Sequence, residues 1–427
     1  MDITRLKTLG RSGSFLRSVF VLGSSTVAGQ AIVLLATPLL TRLYTPEEFG
    51  EYSVFMAICS VFLVISSLRY ELAIALPRKA SRAELLFWLA ISLNAIFAFT
   101  LMLISQFAGA SFSEYLGTSI FADYVWLLPL VVLFAGSYKA LNYWAIRCQN
   151  FSAIGKTKVV QSSANVTIQI GAGLAGFGPL GLIVGWAAGQ AAGIATLWKR
   201  SGLGSNVQSR RFLRFQTWFL IKKYDRFPKY DVPAAAIDVV SVYIPNVLLA
   251  ALFGPKIAGL YLLATQLLSV PSALIGQAVA QVLLGVVRKV GGSDELVVLV
   301  RNIILGLALV IVLPSILVFV WGESFFSFAF GNAWGEAGVY ASWMIFGVAI
   351  QFIYSPASIL LVSTNGQHLN LIIHVFMLIA KTAAILYGFH LGKPLVSVIA
   401  FSAVTGFGYL LGLSAIIFHL RKSAVVS

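Results

Sequence analysis

The chain has 427 residues, 59% of them hydrophobic and 11% charged, with 30 Lys and Arg against 15 Asp and Glu for a formal net charge of +15. In a soluble protein that charge would suggest nucleic acid. Here almost all the cations lie in gaps between long apolar runs, so membrane topology and anionic lipid account for the charge and no nucleic-acid partner is implied. The two cysteines, Cys59 within an apolar run and Cys148 at the end of another, suggest no disulfide, metal or thiol chemistry.

The first apolar run, about 18–40, is too long for a signal-peptide core and lacks a cleavage-like end, so it reads as a spanning helix. Further runs follow at about 52–76, 85–108, 121–146, 161–177, 180–198, 232–253, 258–287, 297–320, 337–361, 369–390 and 395–419. Runs of about 20 residues suit membrane helices. The predicted fold is all-α, a polytopic membrane protein of about twelve spans. With the N-terminus in the cytoplasm, 23 of the 30 Lys and Arg fall on the cytoplasmic side and only Arg42, Lys256 and Lys393 on the other. Positively charged loops resist translocation, so both termini are expected in the cytoplasm.

The predicted domains are a six-helix bundle over 1–198, a basic cytoplasmic linker over 199–231, and a second six-helix bundle over 232–427. The linker holds RRFLRFQTWFLIKKY, which alternates cationic and aromatic residues as a segment lying on a membrane surface does. So few residues remain between spans that a soluble catalytic domain has no room.

The two halves look duplicated. TPEEFGEY gives Pro46, Gly50 and Tyr52, and GPKIAGLY gives Pro255, Gly259 and Tyr261, with the same spacing. Six spans separate the copies, so both begin on the same side of the membrane and the repeat is parallel, with an axis along the bilayer normal. Transporters built this way carry cargo in a central cavity between two bundles. The glycines Gly181, Gly185, Gly189 and Gly193 read as a close-packing face.

Four cations stand inside the spans: Arg69, Lys139, Arg301 and Lys381. A charge at the bilayer centre costs about 2.5–3.5 kcal/mol even on lenient scales, so each needs water or a partner. Treating span 2 as one helix, Arg69 lies roughly 12 Å from its cytoplasmic end, and Lys139 is at a similar depth. Lys139, Tyr143 and Arg147, with Asn142 beside them, form a polar stripe. Lys381 is expected roughly 18 Å deep, near the midplane, with His374 on the same face. Arg301 is close enough to a helix end to snorkel. For Arg69, Lys139 and Lys381, cavity lining and internal ion pairing are both open. Glu71 lies on nearly the opposite side of the helix from Arg69. Asp238 either neutralises a cation or binds a coupling ion. Gln30 in span 1, and Gln266, Gln277 and Gln281 in span 8, form uncharged stripes that line a wet interior or join helices.

The segments PLLTRLYTPEEFGEYSVF and LRYELAIALP, with FGPKIAGLYLLATQLLSVPSALIGQAVAQV in the second half, resemble bacterial polysaccharide flippases. These are the O-antigen and lipopolysaccharide translocases of the multidrug/oligosaccharidyl-lipid/polysaccharide exporter superfamily. Residues 14–84 and 245–287 carry the motifs, and Arg42, Pro46, Gly50, Arg69 and Glu71 match the family pattern. Pro255 and Gly259 repeat it. The resemblance implies an undecaprenyl-diphosphate-linked oligosaccharide as cargo, flipped by alternating access across the bacterial inner membrane. It also implies H⁺ or Na⁺ coupling without another cofactor, and polysaccharide polymerase and chain-length proteins as partners beside membrane lipids. Lys139, Lys381 and Asp238 rest on the depth argument alone. A cationic site suits a diphosphate better than the organic cations of a multidrug exporter. A polymerase or ligase would need a larger outer loop with catalytic groups.

Overall fold

A backbone in hydrocarbon must satisfy its own N–H and C=O groups, so apolar runs of this length become helices. The computed structural model describes residues 3–116, 123–203, 210–287, 293–358 and 367–426. In chain order the helices are α1 (Ile3–Leu43), α2 (Pro46–Ile65), α3 (Tyr70–Ala73), α4 (Ala80–Leu116), α5 (Leu128–Arg147), α6 (Phe151–Leu174) and α7 (Pro179–Trp198). After them come α8 (Arg210–Lys223), α9 (Val232–Phe253), α10 (Pro255–Val287), α11 (Ser293–Phe330), α12 (Gly335–Ala357), α13 (Gln367–His390) and α14 (Pro394–Val426). Among the described residues, nine helices are long and apolar enough to cross a membrane. Proline opens α2, α7, α10 and α14, where its missing N–H costs nothing. Gly178 and Gly254, at φ 55° and 92°, turn the chain into two of those prolines.

Two compact units result: residues 1–44 with 54–240, and residues 45–53 with 241–427. In the first, α6 and α7 pack through the expected glycine face. A Cβ at Gly189 would come within 2.9 Å of the Gln161 carbonyl, and one at Gly193 within 2.7 Å of the Gln161 amide. Polar clasps secure the contact: Gln161 Nε2 donates to Gln190 Oε1 at 3.2 Å, and Gln169 Nε2 to the Leu182 carbonyl at 3.1 Å. Tyr44 Oη donates to the Gln169 carbonyl at 2.6 Å. A second core gathers Tyr70, Ile74, Leu86, Phe87, Trp144 and Leu220.

Span 2 departs from the sequence reading. It is not one helix over 52–76, because α2 ends at Ile65 and Leu68 and Arg69 turn left-handed at φ 51° and 62° before the single turn α3. Depth counted along a continuous helix therefore does not apply to Arg69 or Glu71. A left-handed non-glycine residue costs about 1–2 kcal/mol, so tertiary contacts must hold this break.

In the second unit the two motif copies meet. A Cβ at Gly50 would fall on the Pro255 carbonyl, and a Cβ at Gly259 on the Pro46 carbonyl. This reciprocal approach explains why both copies carry glycine at that position. Phe49 adds an edge-on contact to the buried Trp334, ring centroids 5.0 Å apart. Elsewhere in this unit Ser402 Oγ donates to the Trp343 carbonyl at 2.8 Å and accepts from Gly347 N at 3.2 Å, clasping α14 to α12.

Because backbone cannot retreat as a flexible side chain can, Gly50→Ala and Gly259→Ala should each cost about 1–3 kcal/mol. The apparent melting temperature in detergent is expected to fall by several degrees for both. It should hold for Gly23→Ala, where no atom lies within 4 Å of the added Cβ.

Candidate functional site: a charge-balanced cluster and a lone lysine

The break after α2 swings Arg69 and Glu71 onto different partners. Arg69 Nε donates to Asp231 Oδ2 at 2.7 Å, with Arg69 20% and Asp231 42% exposed. Glu71 is 1% exposed; Ser67 Oγ donates to its Oε2, and Lys139 Nζ on α5 stands 3.5 Å from its Oε1. Lys139 keeps 34% exposure. Tyr143 stands one turn beyond Lys139 on α5. The cluster thus holds two cations and two carboxylates and is formally neutral. Its hydrogen bonds fix the left-handed turn that strains the backbone, and the turn in turn separates Arg69 from Glu71.

Asp231 reaches the cluster through local geometry. Residues Phe227–Asp231 form a π turn just before α9, an irregularity that redirects side chains and is frequent at functional sites. The neighbouring Asp225 is engaged elsewhere, accepting from Lys229 Nζ at 2.5 Å. That bond holds the Asp225 carboxyl below its usual range.

The remaining sequence candidates scatter. Arg147 donates to the carbonyls of Pro77 and Arg78, tying the end of α5 to the turn before α4. Arg42 is exposed at the end of α1, and Arg301 is exposed on α11. Asp238 is exposed on α9, and the carboxylate that engages Arg69 is Asp231, seven residues earlier. Gln30 Oε1 and Asn142 Oδ1 are buried without a hydrogen bond among the described residues. Pro46, Gly50, Pro255 and Gly259 build the helix crossing described above. The side chains of Gln277, Gln281 and His374 lie outside the described residues. Trp144 is a core residue, donating to the Ser201 carbonyl at 2.8 Å.

Lys381 in the second unit has a different environment. Its Nζ lies 5.3 Å from the centre of the Phe401 ring and 5.7 Å from that of Tyr409, within cation–π range. Tyr409 is in turn stacked on Tyr354 at 4.9 Å. Among the described residues, no carboxylate comes within ion-pair distance of Lys381. No group of His, Cys, Asp or Glu among them has the makings of a metal site.

Residues 39–339 match the family described as "Polysaccharide biosynthesis protein". The chain belongs to that family. Its fold is that of the multidrug/oligosaccharidyl-lipid/polysaccharide superfamily. The lipid II flippase MurJ in an inward closed conformation aligns with a TM-score of 0.70 at 12% identity, over 96% of this chain and 90% of that one. An inward-facing multidrug resistance transporter of the MATE family aligns at 0.62 and 13% identity, over 92% and 96%. A superfamily member from Pyrococcus furiosus, described as having a binding pocket of reverse polarity, aligns at 0.58 and 12% identity, over 95% of each chain. A search of curated proteins found no match. The family member is therefore a polytopic membrane protein of known fold.

Asp231 and Ser67 were not among the sequence candidates. Asp231 stands directly before the apolar run of α9, behind nine cations, and an acid at the end of a basic linker is the signal that could have marked it.

Losing one member of a buried pair costs about 3–5 kcal/mol, whereas a solvent-exposed pair is worth about 0–1 kcal/mol. Lys139 is a third exposed, so the Glu71 pair falls between these limits. Glu71→Gln should lower the apparent melting temperature clearly in the wild type and less in a Lys139→Met background. Asp231→Asn should leave it nearly unchanged. A thermal-unfolding cycle of these variants reads the coupling directly.

Proposed function

We propose that the protein is a flippase that moves undecaprenyl-diphosphate-linked oligosaccharide repeat units from the cytoplasmic to the outer face of the inner membrane by alternating access. Family membership supports polysaccharide assembly as the setting. The fold supports transport over catalysis. The observation that carries the reading is the pairing of Arg69 and Lys139 with carboxylates that an anion can replace. Among the described residues Arg69 is met by Asp231 through Nε, which leaves the four N–H donors of its two Nη atoms to phosphate oxygens. Lys139 is only 3.5 Å from Glu71 and partly open, and its ammonium is a point charge that can change partners.

A diphosphate brings about two negative charges, enough to balance both cations while Asp231 swings away and Glu71 keeps its Ser67 hydrogen bond. In the second unit Lys381, held by aromatic faces rather than a carboxylate, offers its own positive charge to an anionic group of the cargo. The polyprenyl tail stays in lipid. In this reading the twelve apolar runs all span, as two parallel six-helix bundles, with both termini cytoplasmic and the 199–231 linker on that face. H⁺ or Na⁺ drives the cycle, and polymerase and chain-length proteins take over the product.

Export of organic cations is the rival, since multidrug transporters share the fold. The fold match to the lipid II flippase is as extensive, so fold does not choose between them. Lys381, with no carboxylate in ion-pair distance among the described residues, disfavours cationic drugs.

In a strain lacking the gene, surface polysaccharide should disappear while lipid-linked units accumulate on the cytoplasmic side, and the gene should restore both. Arg69→Gln, Lys139→Met and Lys381→Met should slow export about tenfold or more at matched expression, each loss removing a charged contact worth about 1.5–3 kcal/mol. Units reaching the outer face unpolymerised in the deletion strain would contradict the flippase reading.

A further inference from the structure

Over residues 216–223 helix α8 has two unlike faces, and one of them is covered. Leu220 is buried, at 2% exposure, and Ile221, Tyr224 and Phe227 pack with it against the core that holds Tyr70, Phe87 and Trp144. Positions 220, 224 and 227 recur at helical spacing, so they form one stripe. Tyr70, between Arg69 and Glu71, donates its hydroxyl to the Ile221 carbonyl at 3.2 Å and fastens the helix. The docking fixes what the other face presents.

That other face is aromatic and cationic. Trp218 and Phe219 are 54% and 49% exposed. Lys222, one turn beyond Trp218, stacks its ammonium 4.0 Å from the indole centre, and Lys223 is exposed beside it. Over residues 210–230 the sequence has seven Lys and Arg against one acid, Asp225, and that acid is already satisfied by Lys229. A water-facing helix would gain nothing from exposed Trp and Phe, and a membrane-embedded one would not tolerate this charge. Indole and phenyl rings at headgroup depth, with cations level with lipid phosphates, satisfy both.

We infer that the outer face of α8, formed by Trp218, Phe219, Lys222 and Lys223, is a docking surface for anionic phospholipid headgroups. The occupant is set by charge complementarity, because the surface offers several cations with no unpaired acid to repel a phosphate. Zwitterionic lipid would satisfy the aromatic rings and leave the cations uncompensated. Since the same helix is fastened to Tyr70, lipid at this face steadies the segment that bears Arg69 and Glu71.

The test is amide hydrogen exchange on the full chain in nanodiscs of phosphatidylcholine, with or without about 30% phosphatidylglycerol. Exchange over residues 216–224 should slow about tenfold with the anionic lipid, and the slowing should vanish in high salt, where headgroup charge is screened. A Lys222→Glu, Lys223→Glu double variant should lose the response, and Trp218→Ala should weaken it, with exchange in α6 and α7 unaltered as the check on folding. Equal exchange in the two lipids, or a full response in the double variant, would overturn the inference. Neither outcome depends on the cargo.

Discussion

A charged side chain among apolar helices needs a partner or water, and the first unit is arranged around that constraint. Arg69 and Lys139 are only partly open to solvent, so each gains from a partner. Each has a carboxylate, and supplying those carboxylates shapes the backbone. Span 2 breaks at Ile65 and turns left-handed through Leu68 and Arg69, which sends Arg69 toward Asp231 and Glu71 toward Lys139. Were α2 continuous, neither pairing would have this geometry. The π turn before α9 and the docking of α8 on Tyr70 serve the same cluster from the other side. Strain, ion pairs and a surface helix thus form one assembly.

The duplicated motif has a different role. Pro46 to Gly50 and Pro255 to Gly259 share a spacing because each glycine must admit the other copy's proline carbonyl. That is a packing requirement, and it is symmetric. Among the described residues the charged chemistry is not duplicated with it: the paired cations are in the first unit, and Lys381 sits among Phe401 and Tyr409 in the second. Cation–π contacts of about 0.5–2 kcal/mol offset part of its desolvation without cancelling its charge. The helix-crossing motif is therefore repeated, and the paired charges among the described residues are not.

Much of this was legible in the sequence. Apolar runs marked the helices because hydrocarbon leaves the backbone no alternative, and the glycines at 185, 189 and 193 marked the α6–α7 seam because small residues at four-residue spacing have few other uses. Arg69, Lys139 and Glu71 stood out as ionic residues in apolar runs. Their partners did not. The break at Leu68 has no proline or glycine to announce it, and Asp231 pairs with a residue 162 positions away. Arg147 looked like a continuation of the Lys139 stripe, but it sits at the last turn of α5, where the nearest acceptors are backbone carbonyls. Long-range pairing depends on how helices pack, and periodicity within one helix carries none of that information.

We propose that the carboxylates hold the cations in readiness for an anionic cargo, so cargo and carboxylate compete. Binding of undecaprenyl diphosphate to the purified protein, wild type against Asp231→Asn, tests it most directly. Competition predicts that the variant binds several-fold tighter, because Arg69 no longer has to leave a negative partner. Equal or weaker binding by a folded Asp231→Asn protein would contradict the account and leave the Arg69–Asp231 pair as structural support alone.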